Sequence, residues 1–234
     1  MRYKKKFQPA LFPEHWLDQH IHDPHWAAPI IGGLFEGLTA SLFNGRRLAV
    51  DCSEEMCPDV SCHPFLFMES KASCRECFVT KSKQFENYKR KSEEELIDTD
   101  YILWGYRRVE MKGRTVRETL LRMSSSIQFL LVLPLKVVGA LIDRSSKKYY
   151  IQGRQGGYQN HPGYGQKVGY YRLTRKVWGP LLDSPVLCFI ESLGLDPKDY
   201  WAEYKNPTAS VRMYGQQFKS NVFKMVRIHR VLPF

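Results

Sequence analysis

The sequence predicts a mostly α-helical, irregular protein with extended N-terminal and C-terminal arms. Residues 65–98 contain many helix-forming side chains and neither glycine nor proline, which indicates one long polar helix starting just after Pro64. Two apolar segments, 27–43 and 123–142, have the lengths of helices. Both ends of the chain combine proline, aromatic and basic residues without a regular period, which is typical of arms that lie along another subunit.

Length and composition set the class of protein. The chain has 234 residues, of which 43% are apolar and 25% charged, so it is a folded protein and neither collagen-like nor a disordered acidic tail. We expect three zones along it. Residues 1–50 form a Pro-, His- and aromatic-rich arm with a Gly-rich apolar helix; residues 51–146 hold a cysteine cluster, the long polar helix and an apolar helix; residues 147–234 form a basic aromatic extension.

The two apolar segments are the places where the chain would meet a membrane. Segment 27–43 is shorter than the roughly 20 residues of a spanning helix and carries Glu36, so we expect a core or interfacial helix. Segment 123–142 is long enough but contains Pro134 and Lys136, and a charge at the bilayer centre costs about 3 kcal/mol on insertion scales. We expect a helix kinked at Pro134 that is buried or lies on a membrane surface, which leaves open a single membrane-apposed helix.

The C-terminal extension carries shorter signals. A short helix is predicted after Asp183 or Ser184, ending at Gly194, and a further short turn begins at Pro197. The final run, 218–234, fits a helical stripe and a strand about equally well, so its type stays undecided.

Five of the six cysteines fall within 26 residues of each other, which marks them as the candidate site: Cys52, Cys57, Cys62, Cys74 and Cys77. As a metal site, the pairs Cys57-x4-Cys62 and Cys74-x2-Cys77 offer four thiolates in an arrangement close to a structural zinc site, with His63 in reserve. Disulfides and free buried thiols are the alternatives. The spacing leaves all three open.

The spacing Cys52-x9-Cys62, followed by a cysteine-bearing segment predicted as a helix, resembles the coiled-coil-helix-coiled-coil-helix proteins of the mitochondrial intermembrane space. The resemblance covers about 30 residues. It departs from the family at the second pair, Cys74-x2-Cys77, and at Pro58, which interrupts the first interval. What it implies is oxidative folding between the mitochondrial membranes and membership of respiratory-chain assemblies.

The net charge of +11 predicts an anionic partner. Residues 147–234 hold 14 basic and 5 acidic residues, and tyrosines alternate with cations there, as on surfaces that bind lipid headgroups or RNA. The candidate lipid or phosphate contacts are Arg144, Lys147, Lys148, Arg154, Arg172, Arg175 and Lys176.

These observations favour a non-catalytic accessory subunit of a mitochondrial inner-membrane energy-converting complex, such as an ATP synthase or a respiratory complex. Its expected partners are other subunits and an anionic lipid such as cardiolipin, with no cofactor. Structural zinc is the alternative for the cysteines. No catalytic motif stands out in the sequence. The alternative function is a mitochondrial ribosomal or other RNA-binding protein, because aromatic and basic residues are interleaved in residues 147–234.

Overall fold

A seven-stranded mixed sheet organises the chain in the computed structural model, which describes residues 4–5, 13–48, 50–51, 57–63, 65–110, 114–145, 148–152, 167–205, 208–213 and 216–231. The helices are α1 (Glu14–His20), α2 (Pro24–Leu42), α3 (Ser82–Glu94), α4 (Val116–Ser125), α5 (Leu135–Ser145), α6 (Arg175–Trp178), α7 (Pro180–Asp183) and α8 (Val186–Ser192), with a 3-10 turn at Pro197–Asp199. The strands are β1 (Lys4–Lys5), β2 (Arg46–Arg47), β3 (Val50–Asp51), β4 (Val60–His63), β5 (Leu66–Ser73), β6 (Cys77–Lys81), β7 (Asp98–Tyr106), β8 (Ile127–Leu133), β9 (Lys148–Gln152), β10 (Lys167–Thr174), β11 (Tyr200–Lys205), β12 (Thr208–Met213), β13 (Gln216–Val222) and β14 (Lys224–Arg230).

The large sheet has the strand order β11-β14-β8-β7-β5-β4-β2, so strands from all three sequence zones enter it. β5 is parallel to β7 and β8 is parallel to β14, while the remaining neighbours are antiparallel. The central strands β7 and β8 read as nearly continuous apolar runs because both of their faces are covered. β6, β10 and β9 form a separate three-stranded sheet.

Each face of the large sheet has its own core. On one face α1, α2 and α4 pack through residues such as Leu17, Leu34 and Leu120 against Trp104. On the other face α3, α5, α8 and the three-stranded sheet pack around Leu131. The N-terminal segment therefore contributes buried helices, where the sequence predicted an arm.

The predicted mostly α-helical class is wrong, because a large mixed sheet lies at the centre of the protein. The expected long helix over 65–98 is instead β5, β6 and then α3. In β6 the side chains of Phe78 and Thr80 are buried while that of Val79 is exposed, which is the two-residue period of a strand. The absence of glycine and proline suits a strand as well as a helix, and so it did not separate the two.

The helix predicted over 123–142 is also wrong. α4 ends at Ser125, β8 occupies the most apolar part, and Pro134 immediately precedes α5, where a proline at the start of a helix is tolerated. Lys136 is exposed on α5. Among the helices of the described residues, none combines the length and the apolar character that crossing a bilayer requires.

Other elements agree with the predictions. The apolar helix expected over 27–43 is present as α2, and α8 lies in the short helix expected before Gly194, whose φ is +76°. The undecided C-terminal run contributes the strand β14, which pairs in parallel with β8.

Candidate functional site

Two carboxylates and a lysine come together on the α3 face of the large sheet. Glu69 and Lys71 are two residues apart on β5, so their side chains lie on the same face of the strand. Asp59 immediately precedes β4, the neighbouring strand, where its backbone N–H donates to the carbonyl of Met68 at 3.0 Å. The Lys71 ammonium donates to the Glu69 carboxylate.

Asp59 is fixed on the backbone between the other two residues. Its Oδ2 accepts the N–H of Ser70 at 2.8 Å, and Ser70 separates Glu69 from Lys71. The Asp59 side chain is 7% exposed and that of Glu69 is 1% exposed, whereas the Lys71 side chain is 24% exposed. The carboxylates are thus buried and hydrogen-bonded, and the Lys71 side chain is only partly exposed.

Helix α3 supplies a chain of hydrogen bonds that orients Glu69. The Tyr88 hydroxyl donates to Glu69 Oε2 at 2.7 Å, and Gln84 Nε2 donates to the Tyr88 hydroxyl at 2.9 Å. Gln84 and Tyr88 are four residues apart and therefore lie on the same side of α3. Because Tyr88 and Glu69 are buried, this chain fixes the carboxylate rotamer.

Tyr101 on β7 is the cross-strand partner of Glu69 and completes the cluster. Its hydroxyl lies 3.1 Å from that of Thr80 on β6, so the cluster is bounded by both sheets. Burial raises the pKa of Tyr101, and the charge of Glu69 raises it further, so the phenol stays protonated.

The charges of the cluster act on one another. Burial alone lowers the pKa of Lys71, but the charges of Glu69 and Asp59 outweigh that effect and hold it above its ordinary value. Burial and the same two carboxylates raise the pKa of Tyr88. Both carboxylates therefore influence the same neighbours, and the lysine is charged at neutral pH.

Carboxylates are the residue type that magnesium sites in proteins use. Mg²⁺ binds oxygen ligands and commonly takes one or two protein carboxylates, completing its shell with water and substrate phosphates. Within the described parts of the chain, no group of three or more His, Cys, Asp or Glu side chains converges as a ready-made metal cage. Asp59 and Glu69 supply two carboxylates, but both oxygens of Glu69 already accept hydrogen bonds, from Lys71 and from Tyr88, so an ion would have to displace or share one of them.

The predicted cysteine site is dispersed. Cys62 on β4, Cys74 in the β5–β6 turn and Cys77 on β6 are free thiols, whereas Cys57 is disulfide-bonded and Cys52 lies outside the described residues. Burial raises the pKa of both Cys62 and Cys77.

The free thiols also have separate neighbours. Cys62 lies 3.5 Å from the Met68 sulfur, Cys74 is hydrogen-bonded to Tyr106, and Cys77 lies near Arg172.

The structure describes five of the seven predicted lipid or phosphate contacts. Arg172 lies over the Tyr149 ring, Lys148 lies near Tyr150 and Tyr171, and these contacts cover one end of the three-stranded sheet. Arg144 donates a hydrogen bond to the Ser192 hydroxyl, Arg175 pairs with Glu76, and Lys176 is exposed. Lys147 and Arg154 lie outside the described residues.

A groove of about 640 Å³ lies between α3, α5 and α8, on the same face of the large sheet as the cluster. Phe85, Leu135 and Tyr171 are among its lining residues. Neither carboxylate of the cluster lines it, so its size does not make it the candidate site.

Sequence reasoning missed Asp59, Glu69 and Lys71. Their signal was a carboxylate and a lysine two residues apart, preceded by a second carboxylate ten residues earlier. In the helix predicted for this segment, residues two apart do not face each other, so the pair went unnoticed.

Comparisons with family models, with curated proteins and with solved structures give no match for this chain.

Proposed function

We propose that this protein hydrolyses phosphodiester bonds of nucleic acid with the help of a divalent metal ion. The observation that carries the proposal is the placement of Glu69 and Lys71 on one face of β5, with Asp59 hydrogen-bonded to the backbone between them. The function departs from the non-catalytic role expected from the sequence, in which no catalytic motif stands out.

The metal and the lysine would divide the work. When bound by Asp59 and Glu69, a divalent ion supplies Lewis-acid polarisation of the phosphoryl group and an activated water. Lys71 donates hydrogen bonds to the non-bridging phosphate oxygens and offsets their charge. Asp59 is held by the Ser70 N–H and Glu69 by Tyr88, so the ligands are positioned before substrate binds.

The charge of the whole chain supports a polyanionic substrate. A net charge of +11 attracts nucleic acid over a long range and raises the rate of encounter. The RNA-binding alternative drawn from the sequence is compatible with this substrate class.

A purely structural ion pair is the competing interpretation. Buried charges cost desolvation free energy, and a Lys–Glu pair is weak support for stability on its own. The cleavage test below separates this interpretation from catalysis, because a structural pair gives no metal-dependent cleavage.

The test is cleavage by the purified full-length chain. Fluorescent single- and double-stranded DNA and RNA are incubated with Mg²⁺, Mn²⁺ or EDTA, and the products are resolved on denaturing gels. We expect metal-dependent cleavage that falls by at least about 10³-fold in Glu69→Gln and Asp59→Asn, since each removes a ligand charge.

The matched control is Glu191→Gln, which removes an exposed carboxylate on α8. Circular dichroism shows whether each variant is folded. Absence of cleavage with every substrate and metal, or equal cleavage by folded Glu69→Gln, would exclude the proposal.

Membership of a mitochondrial inner-membrane complex stays a prediction. What supports association with a larger assembly is a pair of exposed apolar side chains, Phe65 at 62% and Leu96 at 78%, beside the first residues of β5 and β7. Extraction from native membranes tests it, because a subunit of such a complex requires detergent.

A further inference from the structure

The three-stranded sheet has one face turned to the core and one turned away from it. β10 is its central strand, pairing with β6 over Tyr170–Thr174 and with β9 over Lys167–Tyr171. Phe78, Thr80 and Leu173 are buried on the inner face. Because successive residues of a strand point to opposite faces, the positions between them form an outer face. The outward residues that matter here are Val79, Lys81, Tyr149, Tyr170 and Arg172.

Two tyrosines and an arginine are in contact on this outer face. Tyr149 and Tyr170 are cross-strand partners, and their ring centroids lie 5.7 Å apart with the ring planes inclined by 25°. The Arg172 guanidinium lies over the Tyr149 ring, 4.7 Å from its centroid. Aromatic rings presented on the surface of a sheet are the groups on which the bases of single-stranded nucleic acid stack.

The outer face is accessible to a ligand. Arg172 is exposed, its cross-strand partner Val79 is 36% exposed, and both tyrosines are half-buried. The helices α3, α5 and α6 contribute to the core that contains Phe78 and Leu173, so they lie on the inner side of the sheet. A ligand could therefore lie across β9, β10 and β6 without displacing a helix.

The charge of the outer face is positive. Lys81 is the cross-strand partner of Tyr170, and Arg172 lies two residues further along β10. The outward positions of 77–81, 149 and 170–174 include neither aspartate nor glutamate. Over the described residues the Arg172 guanidinium has no hydrogen-bond or ion-pair partner, so an arginine held by its plane against a ring keeps its N–H groups for a phosphate.

We propose that the outer face of β6, β10 and β9 binds a single-stranded polynucleotide, with Tyr149 and Tyr170 stacking on its bases and Arg172 contacting its phosphates. The face is about 14 Å long and about 10 Å wide from the rise and spacing of strands, which is room for about two or three nucleotides. This binding goes beyond the proposed cleavage and does not depend on it, because the Asp59–Glu69–Lys71 cluster contributes no residue to the face.

The test compares two double variants that each remove two aromatic rings. Tyr149→Leu/Tyr170→Leu removes the rings of the outer face, whereas Trp201→Leu/Tyr204→Leu removes two exposed rings of β11 in the large sheet. Binding of fluorescent single-stranded DNA and RNA is followed by anisotropy in EDTA at several KCl concentrations, and circular dichroism shows whether each variant is folded.

We expect the tyrosine variant to bind at least about tenfold more weakly than the β11 control, since each stacked base contributes substantially to affinity. The slope of log K against log salt should not change, because no charge is lost. Arg172→Gln should instead reduce that slope by about 0.7, as for one lost phosphate contact on a single strand, and Arg117→Gln on α4 should leave it unchanged. Equal affinity of the two double variants for both nucleic acids would overturn the proposal.

An abasic strand of the same length separates stacking from attraction to phosphate. The wild type should bind it as weakly as the tyrosine variant binds the natural strand, and equal affinity of the wild type for the two strands would contradict the assignment. Anionic phosphatidylglycerol vesicles test a lipid surface. If the tyrosines control vesicle binding but not oligonucleotide binding, the face contacts lipid and the proposal is overturned.

The cleavage assay distinguishes a failure of this site from a failure of the proposed function. If binding depends on Tyr149 and Tyr170 but no metal supports cleavage, the binding face stands and the proposed function fails. If metal-dependent cleavage is found while the tyrosine variant binds like its control, the proposed function stands and the binding face is excluded.

Discussion

The two faces of β5 carry polar groups of different kinds. On the α3 face Glu69 and Lys71 form a charged cluster with Tyr88. On the α2 face Ser70 lies 3.1 Å from the Thr39 hydroxyl, which accepts the indole N–H of Trp104 at 2.9 Å. One strand thus presents ionised groups to one side and neutral hydrogen bonds to the other.

The neutral network on the α2 face is structural, whereas the charged cluster on the α3 face is the candidate for chemistry. The neutral network is complete, because the Thr39 hydroxyl also donates to the Phe35 carbonyl at 2.9 Å, and such networks hold elements together at low cost. Buried charges carry a desolvation penalty, which makes a buried charged cluster a candidate site as well as a possible structural pair. Both faces carry a hydrophobic core, and the α3 face also holds the candidate site.

The largest effect we expect is on the α2 face. Trp104 is fully buried between Phe35 and Phe223, so Trp104→Ala should lower the free energy of unfolding by about 3–5 kcal/mol. Urea denaturation followed by circular dichroism measures this loss. Trp104→Phe, which keeps most of the volume but removes the donor to Thr39, serves as the milder partner and should cost about 1–2 kcal/mol. An equal loss in the two variants would show that the hydrogen bond, rather than packing, dominates this face.

The second prediction concerns pH and the carboxyl of Asp100, next to the α2 face. Burial raises its pKa to about 6, although the charge of Arg227 lowers it and that of Asp98 raises it slightly. Asp100 and Arg227 also act on the Cys62 thiol, whose pKa is raised by burial and by Asp100 and lowered by Arg227. Because the unfolded chain releases this proton near pH 3.9, the folded state binds more protons between these values, and stability falls as the pH rises through 6.

The loss attributable to Asp100 is at most about 3 kcal/mol between pH 4 and 7. Chemical denaturation of wild type and Asp100→Asn over this range measures it as the difference between the two curves, since asparagine does not titrate. Asp183→Asn is the control, because it removes an exposed carboxyl that does not act on Asp100. Parallel curves for wild type and Asp100→Asn would show that the carboxyl titrates normally.

The sequence allowed some of these features to be predicted and not others. The helix α2 was predicted from its apolar length, and α8 from its flanking breakers, because those signals are local. The sheet was missed because the pairing of β5 with β7 joins residues about 30 positions apart, and no local pattern records it.

The candidate site was missed for the same reason. Asp59 and Glu69 are neighbours only when β4 and β5 pair, and Tyr88 reaches Glu69 only when α3 packs on that strand. The cysteines gave the stronger local pattern, yet Cys62, Cys74 and Cys77 have separate neighbours in the structure.

The smallest effect that we expect is stabilisation by Mg²⁺, and it tests whether the charged face of β5 binds an ion. A divalent ion that binds only the folded protein raises the free energy of unfolding by RT ln(1 + [L]/Kd), which is about 1.4 kcal/mol at ten times Kd. We expect Mg²⁺ to raise the melting temperature of the wild type by this mechanism and to leave that of Glu69→Gln and Asp59→Asn unchanged. Thermal unfolding in matched Mg²⁺ and EDTA buffers measures the shift.

Thr39→Val gives the comparison from the other face. It removes the hydroxyl that joins Trp104 to Ser70 and lowers the baseline stability by about 1–3 kcal/mol, but it leaves both carboxylates in place. Its Mg²⁺ shift should therefore equal that of the wild type. A shift that persists in Glu69→Gln, or that disappears in Thr39→Val, would mean that the ion binds elsewhere and that the charged face of β5 is structural after all.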